Sequence, residues 1–555
     1  MGFSVKRLKT DVLIIGGGSA GSMAGISLKQ ANPNLDVCIM EKGNTKRSGS
    51  ITMGMDALNV VVVPGISTPD EYVDMIKHKC WGIVDEAPSY RLAEKSYDAL
   101  RLLEEWGVFF PKNDNGQYSL MTIDDRGKFC VGMDEPDLKV ILERKIRALK
   151  VSVLNKTMAL RLVVVNGIVI GAMGLNIVDG NLIVCEAKSV ILANGSAARF
   201  GLPNTGYLYG TFDFPGNSGD GFSMAYKAGA KITGMEYTLK YPLVKDLNIP
   251  LLYIVITRGA RVVDLKGNIL VNENNLSVHR LIEQLENNDG PAFLQTDHLS
   301  KGMVKEIENI LFSTERPMQR RFWELKNIKL GRDLIELNLT EAQLCGGHGL
   351  SGIVTDKSAR TSIKGLFAAG DVSSVPMQHL SGAFVYGRIA AESALEYVKT
   401  SNTKVSDKYF DECMNGVIKQ LNIFMSPKTD RICYMDFEYK LRRIINEYLL
   451  SPKNSYSLTK GLNTILELRE QLPKYLHVND CHGLGKAVEL EFILDCAQMS
   501  AIASLTREES RWGSIHRRTD FPDTDNENWL KHIDLQVGNN HHGVKVSLRE
   551  IQKGG

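Results

Sequence analysis

Residues 11–25, DVLIIGGGSAGSMAG, constrain the fold of this chain more than any other stretch. The apolar run ahead of the glycines reads as a strand that enters Gly16-x-Gly18-x-x-Gly21, with Ser19 and Ala20 between the last two glycines. The following SMAGISLKQA has the small and apolar spacing of a helix packed on a sheet. In such a unit one glycine makes the tight turn, one lets the backbone approach a pyrophosphate, and one lets helix and strand pack closely. The helix N-terminus then offers its free N–H groups to the phosphates. A second strand, LDVCIMEKG, ends in Glu41 and Lys42, and Glu41 stands twenty residues after Gly21, a spacing that suits a carboxylate accepting ribose hydroxyls. A glycine-rich turn that binds nothing is the alternative, and the succession of strand, glycines, helix, second strand and terminal acid argues against it. NAD and FAD share this unit, so it leaves the dinucleotide open.

The rest of the chain sets the class. Its 555 residues exceed one small core, and the usual domain length suggests three or four units. Hydrophobic residues at 43% and charged residues at 23% are ordinary for a globular protein, and a net charge of +2 with no basic block argues against nucleic acid as a partner. The apolar run near the N-terminus breaks at glycines too soon for an export signal, and no stretch is long and apolar enough for a transmembrane segment, so a cytoplasmic location is expected. Nine cysteines are scattered without a C-x-x-C pair, which excludes the common zinc and iron–sulfur spacings; no metal site is expected, and the thiols are expected to be reduced.

One further stretch poses a question. Leu344–Ile353, LCGGHGLSGI, places His348 among four glycines. Bare backbone of this kind serves either a site that a ligand approaches closely or a merely flexible loop.

Three distant segments carry a resemblance. AKSVILANG ends at Ala193, Asn194 and Gly195; GLFAAGD ends at Gly370 and Asp371; and NSGDG, containing Asp220, precedes FSMAYKAGA and Met235-Glu236. With the first unit they resemble the FAD-binding fold of the fumarate reductase and succinate dehydrogenase flavoprotein superfamily, which implies FAD as the cofactor. Within that superfamily, KRSGSITMGMDALN with Ser48, Gly49 and Ser50, GDVSSVPMQHLSGAFVYGRIAAESA with Ser381 and Gly382, and REESRWGSIHRRTDFPDTDNENW are most similar to the flavoprotein (alpha) subunit of adenylylsulfate reductase. Relatives that hold flavin covalently use a histidine in the loop that here reads SGSITMG, so noncovalent FAD is implied.

The implied fold class is α/β: a doubly wound, Rossmann-like FAD-binding domain from residues 1–225 and 340–404, an inserted α+β capping domain at 226–339, a helical domain at 405–519, and a polar tail at 520–555 with one short strand. Amphipathic spacing in MDFEYKLRRIINEYLL and YSLTKGLNTILELREQL independently indicates bundle helices. By the resemblance, substrate lies over the flavin between the FAD and capping domains, and His348 occupies the substrate loop. Arg258 and Arg261 in ITRGARVV are candidate anion clamps, with a solvated surface charge as the plain alternative for each. Tyr241 stands where fumarate reductases have histidine, Leu243 where they have threonine and adenylylsulfate reductases an arginine, and His379 is all that MQHLSG offers in place of another arginine. The expected protein is thus an FAD-dependent oxidoreductase acting on a small anionic substrate and exchanging electrons with a separate iron–sulfur, ferredoxin-like partner. A free-standing enzyme of the L-aspartate oxidase kind and a flavin-binding regulatory protein with a degenerate cleft are the alternatives.

Overall fold

The computed structural model describes residues 3–53, 55–121, 127–247, 249, 252–275, 279–287, 289–314, 317–401, 406–539 and 543–554. Its central sheet has seven strands. Along the main path they run 152–154, 37–40, 5–15, 182–192, 168–176 and 157–165, and strand 366–368 pairs beside 182–192. The first four and strand 366–368 run parallel, and the helix Ser19–Ala31 links 5–15 to 37–40 as a βαβ unit.

Register positions the site. Ile15 pairs with Met40 and with Leu192, and Leu192 pairs with Ala368, so these strands finish level with one another. The segments that follow, 16–20, 41–42, 193–195 and 369–371, therefore meet at one edge of the sheet, where ligands bind in open parallel sheets. Helix Ser19–Ala31 is held tightly from both sides. A Cβ on Gly21 would overlap the Gly16 carbonyl oxygen, and one on Gly387, in helix His379–Thr400, would stand 2.6 Å from the Ala20 oxygen.

Among the described residues, 242–339 carry a separate five-stranded antiparallel sheet with four helices. Its own core includes Ile254, Val262, Leu294, Ile307, Trp323 and Leu337. Long helices follow at Asp407–Met425, Tyr434–Tyr448, Ser455–Tyr475 and Cys481–Thr506. The last of these is buried along nearly its whole length rather than amphipathic. The segment read as a polar tail is built differently. Lys531–Val537 and Val544–Glu550 form a hairpin that joins 232–233 and 352–353 in a four-stranded sheet, with Ile533, Leu535 and Val544 buried. No helix among the described residues is long and apolar enough to cross a membrane.

Candidate active site

The converging strand ends line a partly open cavity. Gly16, Gly18, Ser19, Ala20, Glu41, Lys42, Ser48, Gly49, Ser50, Ala193, Asn194, Gly195, Asp220, Gly370 and Asp371 line it, as do His348 and His379. Gly18 caps helix Ser19–Ala31 with no side-chain hydrogen bond, so the helix N-terminus opens onto the cavity. Gly21 does not line it; as its overlap with Gly16 shows, its role is to bring the helix against the turn.

Three buried polar atoms on the wall have no protein partner among the described residues: Asn194 Oδ1, Ser48 Oγ and His379 Nδ1. Leaving such groups unmet costs about 1–3 kcal/mol each, which a polar ligand offsets. With the open helix end at one side and an acid at a strand end, these residues fit FAD. Glu41 does more than await a ribose: its carboxylate accepts from Gly17 N and Gly43 N, both at 2.6 Å, and so fixes the turn itself. Lys42 is likewise committed, to Asp220 at 2.7 Å and Glu489 at 2.9 Å. Burial opposes its charge, but those two carboxylates hold its pKa above the usual value.

Ser381 and Gly382 stand outside the cavity wall, where their helix contributes Leu380 and Ala383 instead. The Ser381 hydroxyl donates to the Asn59 carbonyl and, at 2.9 Å, to that of Val60, while Gly382 is pressed onto the Gln378 side chain. Several contributors stood outside the sequence reading: Met55, Asn59, Thr157, Phe214 and Asn217 all line the cavity. Met55, Asn59 and Asn217 lay inside quoted segments, whereas nothing local marks Thr157. Gly54 of the 46–59 segment lies outside the described residues.

The glycines around His348 are required by packing. A Cβ on Gly346 or Gly352 would overlap the backbone at Ser373, and one on Gly347 would overlap the Asp371 carboxylate. The loop is clamped there by three backbone hydrogen bonds: Gly346 N to Asp371 O at 2.9 Å, His379 N to Gly347 O at 2.9 Å and Met377 N to Gly349 O at 3.1 Å. It is not a slack connection. The clamp sets the His348 ring edge-on to His379 at 4.9 Å, with Tyr241 at 5.9 Å and Phe212 at 6.1 Å. Tyr241 also donates to the His348 carbonyl at 3.4 Å.

His379 opens its helix with φ at +47°, a left-handed conformation uncommon outside glycine. Its Nδ1 is buried without a partner. Burial, then the charges of His348 and Lys79, push its pKa well below the usual imidazole value. Asp371 moves the other way: burial and the neighbouring Asp213 push its carboxyl up to about 7. Asp213 is engaged by the hydroxyls of Ser50 and, at 2.9 Å, Ser196.

The two candidate arginines are not brought to this cavity. Arg258 Nε donates to Glu306 at 2.9 Å and its Nη1 to the Ile254 carbonyl at 2.8 Å. Arg261 begins strand Arg261–Asp264 and lies outside the cavity wall, with its Nε buried and unpartnered. Leu243 is buried in strand Pro242–Val244.

Residues 11–385 match the FAD binding domain family, and residues 438–554 match the C-terminal region of fumarate reductase flavoproteins. An uncharacterized FAD-dependent oxidoreductase of Methanocaldococcus jannaschii is 25% identical over 95% of this chain and 96% of its own. One component of the CoM/CoB fumarate reductase of Methanothermobacter marburgensis is 27% identical over 94% and 96% respectively. The adenylylsulfate reductase structure from Archaeoglobus fulgidus superposes with a TM-score of 0.91 at 22% identity, covering 99% of this chain and 97% of the other. The chain therefore belongs to the FAD binding domain family and is an FAD-dependent oxidoreductase of the fumarate reductase and succinate dehydrogenase flavoprotein superfamily.

Proposed function

We propose that this oxidoreductase is the catalytic flavoprotein of a two-component enzyme, that it acts on a small anionic substrate at the His348 end of the cavity, and that it exchanges electrons with a separate iron–sulfur protein. The observation that carries the substrate site is the His348–His379 ring pair, on the wall of the same cavity as the dinucleotide turn. Bound FAD would supply two-electron redox chemistry. Gly16, Gly18, Ser48, Glu41, Asn194 and Asp371 would hold it.

The chain's own residues then do four things. His348 faces the substrate from a loop whose backbone is fixed by Asp371 and His379. His379, whose protonated form burial disfavours, stands beside His348 and brings an unpartnered ring nitrogen, Nδ1, to that end of the cavity. Phe212 and Tyr241 close around His348 and exclude water. Lys79, which shares an adjoining cavity with His379 and helps depress its pKa, gives that end a positive potential that favours an anion. Support for a partner protein comes from relatives named as flavoprotein subunits of fumarate reductase and succinate dehydrogenase.

The test is a screen of sulfonucleotides, dicarboxylates and related acids by bleaching or recovery of the flavin spectrum. One class of small anion is expected to turn the flavin over, and a reduced ferredoxin-like protein is expected to re-reduce it. Rapid reoxidation by air with peroxide would instead identify a free-standing oxidase. Flavin that no metabolite reduces or reoxidises would contradict the enzymatic reading. We further propose noncovalent FAD, since Ser48–Met53 contains no histidine. Acid precipitation should leave all the flavin in the supernatant.

A further inference from the structure

Beneath the glycine turn lies a lysine that the sequence motif does not include. Lys139, the second residue of helix Leu138–Ala148, is 3% exposed. Its Nζ donates to the Gly17 carbonyl and, at 3.1 Å, to Ser22 Oγ, and Ser22 Oγ donates to the same carbonyl at 3.0 Å. On the other side of the same residue, Gly17 N donates to Glu41 at 2.6 Å. Gly17 is thus pinned at both of its peptide groups, by a cation and by an anion. In a trans peptide the carbonyl and the next N–H point in opposite directions. With the Gly17 carbonyl drawn toward Lys139, the Gly18 N–H points away from it, on the side where Gly18 lines the cavity.

The electrostatics add a second observation. The partners of Lys139 are a carbonyl and a hydroxyl, and a buried ammonium held only by dipoles retains its charge at a cost. The charged groups that face it are Glu41, at the end of strand Val37–Met40, and Glu143 on its own helix; helix Ser19–Ala31 contributes only the Ser22 hydroxyl. Neither carboxylate is ion-paired to the ammonium, and a pyrophosphate across the turn would add a further anion to its field.

We propose that Lys139 is a positioning residue for the FAD pyrophosphate, orienting the Gly17–Gly18 peptide from behind and supplying buried positive charge to the turn, so that FAD binding is linked to the protonation of Lys139. In the FAD-free protein burial outweighs the two glutamates and pulls the lysine down to about 8. An anion bound nearby favours the ammonium and raises that value. The sign follows. Below about pH 8 the ammonium is present before binding and affinity is flat. Above it, affinity falls by up to about tenfold per pH unit until the value for the bound state is reached.

The experiment measures the FAD dissociation constant from flavin fluorescence between pH 6 and 9.5, for the parent, Lys139→Met and Lys139→Arg, with circular dichroism as a check on folding. At pH 7, Lys139→Met is expected to bind FAD about 10- to 100-fold more weakly, the loss of one or more charge-assisted interactions. Its affinity should also lack the step above pH 8. Lys139→Arg, which stays charged, should keep near-parental affinity at pH 7 and hold it to pH 9.5. Asp371, also on the cavity wall, titrates about one unit lower, so all three proteins should share any step near pH 7. Lys139→Met binding within twofold of the parent, or retaining the parent's loss above pH 8, would overturn the proposal. If Lys139→Met does not fold, parent and Lys139→Arg that weaken identically above pH 8 would overturn it, and divergence there would support it.

Discussion

A methyl group added at Gly18 would find its nearest heavy atom, the Gly49 Cα, 3.9 Å away, whereas at Gly16 or Gly21 it would overlap the carbonyl oxygen of Ala193 or Gly16. The protein itself has room at Gly18; only a ligand needs that space. Gly18→Val should therefore fold with a near-parental FAD-free melting temperature and contain no FAD, while Gly21→Val should fail to fold. Thermal melts and flavin absorbance of the two variants separate these outcomes. Asp371 supplies a pH test. Its carboxyl titrates near 7 in the fold and near the ordinary aspartate value when unfolded, so the native state binds the extra proton between those limits. Stability of the FAD-free protein should fall as pH rises from about 4 to 7, and Asp371→Asn should remove that fall, gaining a few degrees in melting temperature at pH 8 and nothing at pH 4. At this scale the motif glycines were legible because each has a backbone job at a fixed offset. Lys139 was not, since it reaches Gly17 across 122 positions of sequence.

Helices and strands meet the candidate site through a buried ionic network. Arg199 pairs with Glu438 and Glu489, and Glu489 also takes Lys42 and Lys486, each at 2.9 Å. This joins the end of strand Val37–Met40 to helices Tyr434–Tyr448 and Cys481–Thr506. Burial opposes charge on Glu489, but the cations outweigh it and hold its pKa well below normal. Glu489→Gln would leave these buried cations short of a partner, so a loss of about 3–5 kcal/mol in unfolding free energy is expected, measured by denaturant titration. FAD should also bind more weakly, because Lys42 lines the cavity. The elements themselves were readable to different degrees. Strand, glycine turn and helix at 5–31 announce themselves through local period and composition, as do the amphipathic helices. In the segment read as a tail, the short strand at VKVSL was legible, whereas strand 531–537 was not, because its burial comes from pairing with 232–233, a long-range partnership that no local pattern reports.

Across the whole molecule, level strand ends bring segments from residues 16, 41, 193 and 369 to one edge, and His348 of the 344–353 loop lines the cavity that they form. Family resemblance implies a substrate-facing role for His348; in the structure His379, the close packing of the loop's glycines and the Tyr241 and Phe212 rings hold its imidazole in place on the cavity wall. The two arginines were not legible in the same way, because a basic residue beside a glycine turn says nothing about which acid it will meet, and Arg258 meets Glu306. The measurement that bears most directly on this account is the rate of substrate-dependent flavin turnover, per bound FAD, in His348→Ala and His379→Ala beside the parent. Both variants are expected to keep FAD occupancy and a near-parental melting temperature, and at least His348→Ala should lose about 10²–10⁴-fold in rate, the range for a lost general acid or base. Two variants that turn over flavin at the parental rate would show that the histidine pair is packing alone and that the substrate site lies elsewhere.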